Sequence, residues 1–80
     1  MQDDYMSNTQ YVMATQDELL WIRHVMPKGM LKMVEVRTGK SRAQVRYQLY
    51  NMPENQDAEI ITAIREILYV VTRKKYSVND

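Results

Sequence analysis

The sequence contains no cysteine. That removes disulfide frameworks, zinc knuckles and thiol chemistry from consideration, and it fits a reducing compartment. Glycine and proline are scarce, two of each in 80 residues, too few for a turn-rich β architecture. No apolar run approaches the roughly 18 residues of a membrane span. The opening MQDDYMSNTQ is acidic and polar, the wrong chemistry for a secretory signal. A cytoplasmic protein without a membrane partner is the expectation. There is no glycine-rich phosphate loop, since the only glycines are Gly29 and Gly39. No serine or threonine has the His-acid company of a nucleophile, His24 stands alone, and Asp3 and Asp4 read as solvated tail residues rather than metal ligands. The chain is therefore expected to be no enzyme, with no cofactor, no metal and no small-molecule substrate.

What is present is an ordinary globular composition, 45% hydrophobic and 26% charged. Eighty residues make one domain. A chain this short buries only roughly 60% of the surface that its unfolded form exposes, which makes oligomerisation a natural supplement. The net charge of +1 conceals a segregation. Residues 1–20 carry four acids and no base, and residues 21–50 carry seven bases (Arg23, Lys28, Lys32, Arg37, Lys40, Arg42, Arg46) against Glu35 alone. Residues 51–80 are nearly balanced. A basic module inside a neutral protein suits a polyanionic partner.

The hydrophobic pattern predicts an all-α fold, a small orthogonal four-helix bundle. A polar tail spans residues 1–14; its short apolar run Tyr11-Val12-Met13 reads as an edge strand or as a segment packed on the domain. The domain proper spans residues 15–75 and a second tail residues 76–80. Helix one begins near Thr15, whose spacing from Glu18 is that of a capping box. Leu19, Ile22 and Met26 form its apolar face, and Pro27 ends it. Helix two runs from about Lys28 to Thr38, burying Met30, Leu31 and Val34 with Met33 as a further candidate, and Gly39 closes it. Ser41 and Gln44 have the spacing of a second capping box at the head of helix three, Ser41 to Asn51, whose stripe is Val45, Leu49 and Met52. Residues 51–55, with Pro53, form a loop. Helix four extends from about Asp57 to Arg73 or Lys74. Ile60, Ile61, Ile64, Ile67, Leu68 and Val71 make its buried face, with Tyr69 and Val70 partly off it as core or subunit contact. Acids at its head and bases at its foot complement the macrodipole. The seven methionines are scattered as core filling.

The three-residue link Gly39-Lys40-Ser41 is too short for a parallel helix pair and suits helices crossing at roughly 90–120°. Residues 27–51, PKGMLKMVEVRTGKSRAQVRYQLYN, thus have the layout of a helix-turn-helix. They resemble the helix-turn-helix of lac-repressor-type and lambda-repressor-like DNA-binding domains. Val34, Thr38, Gly39, Ser41, Val45 and Asn51 match that pattern, and Pro27-Lys28-Gly29 looks like the entry to its first helix. Three positions depart from it: Glu35 where a small alanine is usual, Lys40 where an apolar residue plugs the core, and Gln48 where an aliphatic side chain is buried. The resemblance implies that Arg42, Ala43, Arg46 and Tyr47 face base edges in the major groove. Arginine pairs bidentately with guanine and alanine meets a thymine methyl. Lys28, Lys32, Lys40, Ser41 and Tyr50 are placed for phosphates, which set register without reading sequence. Gln44 reads better as a cap than as a base contact. The expectation is sequence-specific binding of double-stranded DNA by a homodimeric transcriptional regulator. The alternative is a protein-interaction module on a degenerate helix-turn-helix bundle that no longer binds DNA, which the three departures favour.

Overall fold

The computed structural model describes residues 11–77. Among the described residues there are four helices and no strand: α1 (Gln16–Val25), α2 (Met30–Thr38), α3 (Arg42–Arg46, continued as a π-helix over Tyr47–Asn51) and α4 (Ala58–Thr72). They form a small all-α bundle, as the periodicity predicts. No helix among the described residues is long and apolar enough to cross a membrane.

One core joins all four helices. Leu19 and Ile22 of α1, Met30 and Val34 of α2, Val45 and Leu49 of α3, and Ile60, Ile61, Ile64, Ile67 and Leu68 of α4 are buried together. The α4 helix supplies the largest share of this core. Its face is wide enough to serve several neighbours, and it packs most extensively on α2. Each large aliphatic side chain buried in this way contributes about 1.5–3 kcal/mol.

The helix boundaries follow local chemistry. Thr15 caps α1, its hydroxyl accepting from the Glu18 backbone N–H. The reciprocal half of the expected capping box is replaced by a tertiary contact, for the Glu18 carboxylate is engaged by Arg65 instead. Arg65 Nε and Nη2 donate to the two carboxylate oxygens at 2.8 and 2.9 Å. These hydrogen bonds hold the Arg65 guanidinium above its ordinary pKa against the opposing effect of burial. Met26, extended ahead of Pro27, ends α1. The expected start of helix two at Lys28 moves to Met30, because Gly29 takes the left-handed conformation (φ +88°) and stands outside the helix. In α4, Asp57 is the N-cap, with Oδ1 accepting from the backbone N–H groups of Glu59 and Ile60.

Three expectations about burial need correction, and one of two open readings is decided. Met33 is exposed, because α2 presents Met30 and Val34 to the core and turns Met33 away. Val71 falls off the buried face of α4 and is exposed. Of the two readings of Tyr11-Val12-Met13, packing on the domain holds through Tyr11, while Val12 and Met13 are exposed. Ala14 is buried, and Gln56 receives its N–H at 2.9 Å while donating to its carbonyl at 2.8 Å. The Tyr11 hydroxyl also donates to Gln56, and burial raises the phenol's pKa above its ordinary value. Tyr76, expected in the second tail, packs against Trp21, the ring centroids 5.5 Å apart and the planes tilted by 56°. Residues 1–10, with Asp3 and Asp4, and 78–80 lie outside the described residues.

Candidate nucleic-acid interface

The turn between α2 and α3 is built by three consecutive residues. The Thr38 hydroxyl donates to the Val34 carbonyl at 2.8 Å and accepts from the Lys40 N–H at 3.1 Å. Gly39 adopts φ +72° and returns its N–H to the Glu35 carbonyl at 2.8 Å. A Cβ there would meet nothing within 4 Å, so backbone conformation, not crowding, is what calls for glycine. The chain then enters α3 through a complete capping box. Gln44 N–H donates to Ser41 Oγ at 3.1 Å, and Ser41 N–H donates to Gln44 Oε1 at 2.9 Å.

This start aims the exposed side of α3 outward. Val45 turns to the core, while Arg42, Ala43, Arg46 and Tyr47 are all exposed. Arg42 and Arg46, one helical turn apart, share a face. The helix expected to run unbroken from Ser41 to Asn51 changes winding after Arg46. Tyr47 N–H is shared between the carbonyls of Ala43 and Gln44, and Tyr47–Asn51 is π-helical. Gln48 and Leu49 are both buried. Met52, left-handed at φ 51°, ends the segment ahead of Pro53.

The three departures from the helix-turn-helix pattern each acquire a physical reading. Gln48 occupies an aliphatic position because it has a partner: the Asp57 N–H donates to its Oε1 at 2.9 Å. The buried amide thereby ties the end of α3 to the head of α4. Lys40 does not plug the core. Its Nζ lies 3.5 Å from Asp57 and 3.7 Å from Glu59, paired with the acidic head of α4. Glu35 is half-buried, with Lys32 at 4.0 Å, the outer limit of an ion pair.

The basic residues therefore separate into two groups. Lys32, Lys40 and Arg37 have carboxylate neighbours, Arg37 being 3.0 Å from Glu66. Arg23, Lys28, Arg42 and Arg46 have none among the described residues. Two of these four converge on one ring. The guanidinium groups of Arg23, from α1, and Arg46, from α3, each sit 4.7 Å from the centroid of Tyr50. Cation–π contact places a cation without neutralising it, so the pair keeps its positive charge while being held in place. Sequence reasoning named Arg46 and Tyr50 but missed Arg23. The i, i+4 spacing of Arg46 and Tyr50 is legible in the sequence, whereas the approach of α1 to the π-helical segment is a tertiary contact with no local signal.

Of the expected phosphate ligands, Lys28 and Lys32 are exposed, and Ser41 is exposed but occupied in its capping box. Lys40 is committed to α4, and half-buried Tyr50 serves mainly as the platform for two arginines. No protein-family model, no curated protein and no solved structure matches this chain.

Proposed function

We propose that the chain is a DNA-binding module in which α3 enters the major groove and Arg42 and Arg46 read base edges. It would act as a homodimeric transcriptional regulator of double-stranded DNA. The observation that carries this reading is the group of cations without carboxylate partners on and beside α3, namely Arg42, Arg46 and Arg23, two of them ordered on Tyr50. An exposed, capped helix that follows a tight glycine turn supplies the groove-entering element, and arginine supplies bidentate guanine recognition. Lys28 and Arg23 flank it as phosphate ligands, which position without specifying.

The test is fluorescence anisotropy with a labelled random-sequence duplex across a salt series, followed by selection of the bound sequences. If Arg23 and Lys28 each neutralise one phosphate while Arg42 and Arg46 meet bases, log affinity falls against log salt with a slope of roughly −2 per protomer. Arg42→Ala with Arg46→Ala should weaken binding and erase base preference while keeping most of that slope. A flat response in the unmodified protein would overturn the reading. It would favour the protein-interaction alternative, for which the exposed apolar side chains of α2, Met33 and Val36, offer a surface.

A further inference from the structure

The outward side of α4 is not the solvated polar face of an ordinary surface helix. At 100° per residue, Glu66, Tyr69, Val70 and Arg73 fall in one stripe. Its centre is apolar and open, with Val70 60% and Tyr69 41% exposed. Its two ends are opposite in charge. Glu66 stands at one end, 59% exposed although it touches Arg37. Arg73 stands at the other as the C-cap, with its guanidinium 5.6 Å from the Tyr69 ring and no carboxylate neighbour among the described residues. A groove of about 680 Å³ runs beside the stripe, floored by Trp21, Leu68 and Tyr76.

The order acid, aromatic, aliphatic, base has a property that a random stripe lacks. Reversed end for end about the midpoint of Tyr69 and Val70, it complements itself: Glu66 falls opposite Arg73, and Tyr69 opposite Val70. A two-fold interface requires this of a surface patch. We infer that a second copy of this chain docks here, with α4 antiparallel to its partner and crossing it between Tyr69 and Val70. Each Glu66 then meets the other copy's Arg73, and the apolar centres cover one another.

The inference deepens the proposed function and rests on it for one consequence only. The head of α4 is bound to the turn before α3 through Lys40 and to the end of α3 through Gln48. Asp57 lies twelve to thirteen residues from the crossing point, or about 19 Å at 1.5 Å per residue. An antiparallel pair therefore holds the two α4 heads about 37 Å apart, near the ~34 Å between half-sites on one side of a duplex.

Charge reversal with mixing tests the interface. Glu66→Arg alone and Arg73→Glu alone each set like charges opposite one another in a homodimer, whereas one copy of each variant restores both pairs. Sedimentation velocity and native mass spectrometry on the full chain should find a dimer for the unmodified protein, loss of the dimer for each variant alone, and a heterodimer in the equimolar mixture. Circular dichroism checks that each variant keeps its helicity, and the mixing arm answers any objection that a variant is merely unfolded. A monomeric unmodified protein, a variant that dimerises alone as well as the unmodified protein, or a mixture that stays monomeric would overturn the inference. A dimer with this mixing behaviour but without salt-dependent duplex binding would support the interface and sink the DNA reading. A monomer with a steep salt slope would do the reverse.

Discussion

Two basic surfaces of this small bundle can be set side by side. Where α4 meets the other elements, the cations have acidic neighbours within the fold: Arg37 of α2 with Glu66, Lys40 of the turn with Asp57 and Glu59, and Arg65 of α4 itself with Glu18 of α1. Around α3 the cations Arg23, Arg42 and Arg46 have no such neighbour among the described residues, and an aromatic ring holds two of them. The positive charges of residues 21–50 look equivalent in the sequence, yet only about half remain for a partner. Local net charge thus overstates a binding surface wherever a neighbouring element supplies acids. What matters is which cations have no intramolecular counter-charge.

That contrast can be broken by experiment, the largest effect first. Replacing both Arg42 and Arg46 by alanine should cost about 1–3 kcal/mol of duplex affinity for each arginine that meets a guanine, measured by anisotropy at fixed salt. Arg37→Ala, on the paired surface, should leave that affinity nearly unchanged. Equal losses from both surfaces would erase the distinction.

Gln48 joins the two regions. Gln48→Ala leaves the Asp57 N–H without its partner and should lower unfolding free energy by about 1–3 kcal/mol in urea denaturation. An unchanged midpoint would show that the amide does not tie α3 to α4. Arg23 sharpens the contrast from the other side. Arg23→Ala should weaken binding about uniformly across sequences and reduce the salt slope by about one, with selected sequences unaltered. A shift in base preference would instead place Arg23 at a base edge. The smallest effect is expected at Lys40. Its pairs are partly exposed, so Lys40→Ala should change stability by less than about 1 kcal/mol and leave the salt slope where it was. A slope reduced by a full unit would return Lys40 to the phosphate-binding set.

Helix positions were largely legible before any coordinates. Thr15, Ser41, Asp57 and Gly39 each act on backbone groups within a few residues, so spacing alone locates the helix ends they make. The exposure of Arg42 and Arg46 was legible for the same reason, since Val45 and Leu49 define which side of α3 faces inward. The start of α2 was less so, because Gly29 could equally have opened the helix or stood before it. The π-helical winding of Tyr47–Asn51 accompanies the burial of Gln48 against Asp57, a contact with the head of another helix, and no periodicity announces it.

By itself, then, the amino-acid order determined an all-α chain, its caps, its glycine turn and the inward stripes of its helices, because each arises from interactions spanning at most one or two turns. Tertiary structure alone decided which charges survive for a partner. Glu18 left its own helix cap for Arg65, Lys40 found the head of α4, and Arg23 met Tyr50. Each of these pairs joins residues on different elements, whose meeting is set by how the core closes and not by their spacing along the chain.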